Sequence, residues 1–99
     1  LYNIPICRVG SLKMLSYQLR DYGYRIVSAS ERGEKLLYEA NLTGPIAIVM
    51  GAEDTGIHPE VLRLSHEIVR IPLKGKIESL NVSVATGIVL FEAVRQRTL

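Results

Sequence analysis

The sequence predicts an α/β fold with a mostly parallel sheet flanked by helices, and three observations carry that expectation. Short strand-like apolar runs alternate with helix-like segments four times along the chain. The run Ile46-Ala-Ile-Val-Met50 is apolar without interruption, the pattern of a central parallel strand covered on both faces. Finally, Ile71-Pro-Leu-Lys-Gly-Lys-Ile-Glu-Ser-Leu-Asn-Val-Ser-Val-Ala85 leaves a strand at a proline, crosses a glycine-containing loop and enters a helix. Strand ends that lead into helix N-termini are where open α/β sheets hold ligands.

Taken in order, residues 5–9 read as a strand, closed by Gly10 and by Ser11 as a helix N-cap. Leu12, Leu15, Leu19 and Tyr22 then recur at helical spacing, and Gly23 suits the left-handed position after a helix end. Residues 24–29 form the next strand. Residues 30–40, with Leu36, Leu37 and a Glu31/Lys35 pair four apart, predict a short, partly exposed helix. Asn41-Leu-Thr-Gly-Pro45 is dense in turn residues before the 46–50 strand. Gly51 ends that strand, Pro59 opens a short helix through Leu64, and residues 67–71 make the fourth strand, which Pro72 stops. The last segment alternates like a strand at Leu80, Val82 and Val84. Over the longer window Val84, Ile88 and Phe91 share a helical face with Ala85 and Val89 beside it. Residues 80–96 are therefore expected to be a helix, apolar on most of its circumference and buried. Gly87 in its interior costs about 1 kcal/mol against alanine and predicts a close backbone neighbour.

Bulk properties bound the function. Ninety-nine residues make one domain, 47% apolar and 22% charged, which excludes a disordered tail. The start at Leu1 rather than methionine reads as the middle of a longer protein. A net charge of +2 neither demands nor excludes a nucleic acid. Lys74, Lys76, Arg95 and Arg97 are first of all a solvated face. Cys7 is the sole cysteine, so no internal disulfide forms and the composition suits a reducing, cytoplasmic setting. No apolar run approaches the ~20 residues that span a bilayer, and no signal peptide is visible.

Two loops could carry chemistry. Gly51-x-Glu53-x-x-Gly56 follows a buried strand, where glycines admit a ligand to the backbone and a carboxylate can orient a hydroxyl; on spacing alone a turn with a solvated Glu53 is the better reading. Ser79 and Asn81 bracket Leu80 at the mouth of the last helix, where capping and ligand binding are equally good accounts. His58 and His66 lack partners at ligand spacing, so no metal site is expected. Dinucleotide, P-loop, nucleophile-elbow and Cys-x-x-Cys motifs do not occur. The residues alone give a ligand-binding domain with Gly51, Glu53, Ile71, Ser79, Leu80 and Asn81 converging on one edge.

At these residues the sequence resembles the SpoU (TrmH-like) branch of the SPOUT RNA methyltransferases. Ile48-Val-Met-Gly-Ala-Glu-Asp-Thr-Gly56 is similar to the second of that family's three motifs. Ile71-Pro-Leu-Lys-Gly75 with Ser79-Leu-Asn-Val-Ser-Val-Ala85 is similar to the third, a highly specific run. The tail from Gly87 to Arg97 most resembles the bacterial members that methylate a guanosine ribose of 23S ribosomal RNA. The resemblance implies an α/β sheet with a C-terminal trefoil knot, an exception to the rule that chains do not thread. It implies S-adenosylmethionine in that knot, touched by main chain at Gly51, Ile71 and Leu80 and walled by Pro72, Leu73, Gly75 and Ser79. The implied reaction is methyl transfer to a ribose 2′-hydroxyl of RNA without a metal, with Glu53 and Asn81 organising the hydroxyl and Ser79 supporting them. It also implies a homodimer, with apolar faces of the final helix in the contact.

The sequence departs from the family in one respect. The first motif, an Asn-x-Gly segment followed by an arginine, does not occur in residues 1–99, and neither does the usual N-terminal RNA-binding extension. The chain therefore reads as the C-terminal portion of a catalytic domain, with little or no turnover by itself. A transfer-RNA-modifying relative and a non-catalytic module that binds RNA or a partner through the same fold are the alternatives.

Overall fold

The computed structural model describes residues 12–51, 56–72 and 82–98. The expected strand at residues 5–9, the Ser11 cap and Cys7 lie outside them. Helix α1 (Leu12–Asp21) leads to strand β1 (Arg25–Ala29), then to a short strand β2 (Lys35–Leu36) and a single 3-10 turn (Leu37–Glu39). Strand β3 (Ile46–Met50), helix α2 (Pro59–Leu64), strand β4 (Glu67–Arg70) and helix α3 (Val82–Arg97) follow. The sheet order is β2-β4-β1-β3, and every pairing is parallel.

Local chemistry explains most of the boundaries. After α1, Gly23 takes φ 93°, its N–H donates to Arg20 O, and the Tyr24 N–H reaches back to Leu19 O, both at 3.0 Å. Those are the two bonds of a Schellman ending, which closes the helix carbonyls with a left-handed residue. Leu19 and Tyr24, brought together by the turn, both pack on the core. At α2 the chain uses Pro59 in the first turn, and the His58 Nδ1 accepts the Glu60 N–H at 3.1 Å as the cap.

Pleat alternation divides the interior into two layers. Val27, Ile46 and Val69 face α3, where Val89 and Ala93 meet Leu37, Ala40 and Leu42. Ile26, Ala47 and Val49 face the other way, onto Val61 and Leu64 of α2 and Leu19 of α1. Ile46, Ala47 and Val49 of β3 are buried on both faces as expected, although the inner positions of the described sheet belong to β1 and β4. Ser28 is fully buried and is satisfied by Ser65: their hydroxyls lie 2.6 Å apart, and Ser65 Oγ donates to Val61 O at 2.6 Å.

Three expectations are corrected. Residues 30–40 do not form a helix. Ala29 and Lys35 are both paired with Val69, so β2 begins at the level where β1 stops and on the far side of β4. β1 and β2 thus act as one strand that steps across β4 through residues 30–34. No long crossover is needed, because the chain never returns to the sheet's starting edge. The i, i+4 pair of Glu31 and Lys35 is replaced by a tertiary one, with Lys35 Nζ 2.7 Å from Glu67 Oε1 and Arg25 bonded to the same carboxylate. Second, α3 is buried on one side only. Ala85, Val89 and Ala93 are inside, while Val84, Ile88 and Phe91 are exposed, Phe91 to 73%. Third, a Cβ on Gly87 would meet nothing within 4 Å among the described residues, so none of them explains that glycine.

Candidate functional site

In a parallel sheet all C-terminal strand ends lie on one edge, and the register fixes which ends are level. Ala29 pairs with Met50 on one side and with Val69 on the other. Gly51 and Ile71, the first residues past β3 and β4, therefore sit at the same edge with the end of β1 between them. Two strand spacings separate them, about 10 Å. This is the convergence expected of Gly51 and Ile71, with Pro72 directly beyond. Glu53, Leu73, Gly75, Ser79, Leu80 and Asn81 lie outside the described residues.

The two described turns have contrasting surroundings. Gly51 is held close to the far end of its own loop: a Cβ there would stand 3.1 Å from the carbonyl carbon of Gly56 and 3.1 Å from Ile57 Cγ1. A Cβ at 51 would require Gly56 and Ile57 to give by a few tenths of an ångström, so the main chain of the two loop ends is closely packed there. Ile71 packs its side chain partly onto the α3-side core, beside Met50 and Ala29. The edge thus offers main-chain polar groups of residues beyond the ladder, set among aliphatic carbon. That combination suits a flat heteroaromatic ring that must also be read by hydrogen bonds.

One contributor to this edge was not anticipated. The crossing 30–34 lies over the end of β4: Ser30 N–H donates to Val69 O at 2.8 Å, Gly33 N–H to Ser30 O at 2.9 Å, and Arg32 N–H to Ser30 Oγ at 3.2 Å. Gly33 is buried against that strand. The signal in the sequence was Gly33 itself, a residue that costs a helix about 1 kcal/mol at the middle of the window assigned to one.

The described residues contain no group of three or more metal-ligating side chains, and no helix of the structure is long and apolar enough to cross a membrane. Among the described residues, the perturbed ionisations are at the C-terminal end of α3. Hydrogen bonding from Arg95 holds the Glu92 carboxyl down to about 2, with help from Gln96 and against partial burial, and the same pairing raises the Arg95 guanidinium.

Comparison with known proteins places this arrangement. The model of the SpoU rRNA Methylase family matches residues 1–91. The 23S rRNA (guanosine-2′-O-)-methyltransferase RlmB of Photorhabdus laumondii is 43% identical over 96 residues, which is 97% of this chain and 39% of that protein. The protein of the same name from Escherichia coli K12 is 42% identical, over 97% of this chain and 40% of its own length. The chain therefore spans about two fifths of the length of these relatives. Among solved structures, an RNA 2′-O ribose methyltransferase superposes with TM-score 0.82 at 37% identity, covering 87% of this chain and 33% of the other. An AdoMet-bound rRNA methyltransferase from Sinorhizobium meliloti gives TM-score 0.78 at 34% identity over 92% of this chain and 35% of its own. With a family model matched along most of its length and relatives above 40% identity, this chain belongs to the SpoU rRNA methylase family.

Proposed function

We propose that this chain supplies the cofactor-binding part of the catalytic domain of an RNA ribose 2′-O-methyltransferase, with a guanosine of 23S ribosomal RNA as the substrate. The single observation that carries the reading is the placement of Gly51 and Ile71 at one sheet edge, on either side of β1, with Ile71 one residue further out. Their main chain fits S-adenosylmethionine: polar backbone atoms for the adenine edge, and Ile71 with Met50 for its faces. Leu80, Leu73, Gly75 and Ser79 are proposed to complete the same cradle, with Pro72 at its rim.

When bound, S-adenosylmethionine supplies an electrophilic methyl group on a sulfonium. Transfer of that methyl group to a ribose oxygen would require the hydroxyl proton to be taken up by the protein or by solvent. The protein's task is to hold that hydroxyl in line and to accept or relay its proton. Glu53 and Asn81 are proposed for this work, with Ser79 in support. A knotted return of the chain and a cytoplasmic location belong to the same proposal. A homodimer joined through the exposed face of α3 also belongs to it, because Val84, Ile88 and Phe91 are apolar and uncovered in the single chain.

Calorimetric titration with S-adenosylmethionine, followed by mapping of ribose methylation in RNA from cells with and without the gene, tests the reading. Binding together with loss of one 23S guanosine methylation is the expected result. Loss of a transfer-RNA methylation would reassign the substrate, and absence of any binding heat would mark a non-catalytic module.

A further inference from the structure

We infer that the crossing segment 30–34, through the absence of a side chain at Gly33, sets the position of the Ile71 main chain and so tunes affinity for the adenosyl cofactor. This rests on the cofactor reading above and adds to it a positioning residue that touches no ligand. The geometry is specific. A Cβ built on Gly33 would stand 2.5 Å from the carbonyl carbon of Val69, 2.8 Å from its oxygen and 2.9 Å from the Arg70 nitrogen. All three atoms are backbone, so no rotamer change relieves the contact. Ordinary van der Waals contact begins at 3.4 Å, so a single methyl would force the peptide or the crossing to move by close to 1 Å.

That peptide joins Val69 to Arg70, and Arg70 alone stands between it and Ile71. It is held from the other side as well, because the Val69 carbonyl accepts the Ser30 N–H at 2.8 Å, from the residue that opens the crossing. Ser30 is in turn fixed by the Arg32 N–H on its hydroxyl and the Gly33 N–H on its carbonyl. The crossing therefore grips one peptide of β4 by a hydrogen bond at its first residue and by direct backbone packing at Gly33. Main-chain recognition of a ligand tolerates little displacement, since binding groups must be held within about 0.5 Å of their productive positions. A shift of the Val69–Arg70 peptide passes to Ile71 through a single residue, Arg70, which is still held in the β4 ladder by its pairing with Leu36.

The experiment uses the full-length protein and three variants. Gly33→Ala is the direct test; Ser30→Ala keeps the space but removes the hydroxyl that fixes the crossing; Val61→Ala loosens the opposite core layer and serves as a control for plain loss of stability. Each is examined by thermal unfolding, by calorimetric titration with S-adenosylmethionine, and by RNA binding without cofactor. The expected result is cofactor affinity lowered by about tenfold or more in Gly33→Ala, because a shift near 1 Å exceeds the roughly 0.5 Å tolerance of a binding constellation, and lowered less in Ser30→Ala. RNA affinity stays near wild type, and Val61→Ala melts earlier but binds cofactor normally. If Gly33→Ala does not fold, Ser30→Ala carries the test. Wild-type cofactor affinity in folded Gly33→Ala, or in Ser30→Ala when that variant carries the test, overturns the inference while leaving the cofactor reading intact. The inference fails in the same way if Val61→Ala weakens cofactor binding in proportion to its lost stability. A wild-type protein that binds no cofactor removes both.

Discussion

Glu92 accepts two hydrogen bonds from Arg95, at 2.8 and 2.9 Å, and one from the Gln96 amide at 2.9 Å. These donors favour the carboxylate and hold its pKa at about 2 against an ordinary 4.5. Because the folded value is the lower one, the unfolded chain takes up a proton first as pH falls. The contribution of Glu92 is therefore complete above about pH 4.5 and is lost on the way down to about pH 2. Urea unfolding across that window should show a smaller fall in stability for Glu92→Gln than for wild type. Its neighbour Gln96 has a different task. Its Oε1 accepts the Leu42 N–H at 2.7 Å and its Nε2 donates to Ala40 O at 2.9 Å, so one side chain closes two backbone groups of a segment that has no strand partner there. Gln96→Ala should cost about 1–3 kcal/mol by urea unfolding, since Leu42 is fully buried and its N–H would be left without an acceptor. At the proposed reaction centre, Asn81→Ala should cut methyl transfer far more than cofactor affinity. Equal losses in single-turnover rate and calorimetric binding would make Asn81 a helix cap instead.

At the scale of elements, α3 has two faces with separate duties. Its inner stripe of Ala85, Val89 and Ala93 lies on the sheet, and Gln96 and Arg97 tie its end to the 40–44 segment. Its outer stripe leaves Val84, Ile88 and Phe91 in water, with Gly87 in open space among them. If that stripe pairs two copies, Phe91→Glu should shift the molar mass by light scattering from dimer to monomer without lowering helix content. A wild-type monomer would exclude the pairing. This helix also shows what could be read from sequence. Its existence was legible because residues 82–97 keep a helical period. Its exposure was not, because an apolar stripe looks the same whether a sheet or a second copy covers it. Strands β1, β3 and β4 and the Gly23 ending were legible for a local reason: alternation, turn residues and a left-handed glycine act within a few positions. Residues 30–40 were misread because their conformation is set from a distance. Two leucines and a charge pair satisfy a helix locally, but the β4 ladder, Glu67 and the close approach at Gly33 decide for a crossing and a strand. Of the proposed site, the meeting of Gly51 and Ile71 at one edge was legible from apolar runs, one ending before the first and one at the second, whereas the 30–34 contribution required the pairing order.

For the whole molecule, the parallel sheet is the device that turns distant residues into one edge. β3 and β4 are separated by a helix and two loops in sequence, yet both pair with β1, and Met50 and Val69 stand level on either side of Ala29. Residues 30–34 then clamp the end of β4 from a segment far earlier in the chain. Fold and site are thus one construction, and its central claim is that a single adenosyl group is read by main chain at that edge. Amide shift mapping by NMR in the isotope-labelled protein, titrated with S-adenosylhomocysteine, tests this directly. The account predicts saturable shifts at the amides of Gly51, Ile71 and Leu80, with Arg25 and Ile46 at the opposite strand ends unmoved. Shifts confined to those opposite ends, or none at saturating ligand, would contradict it.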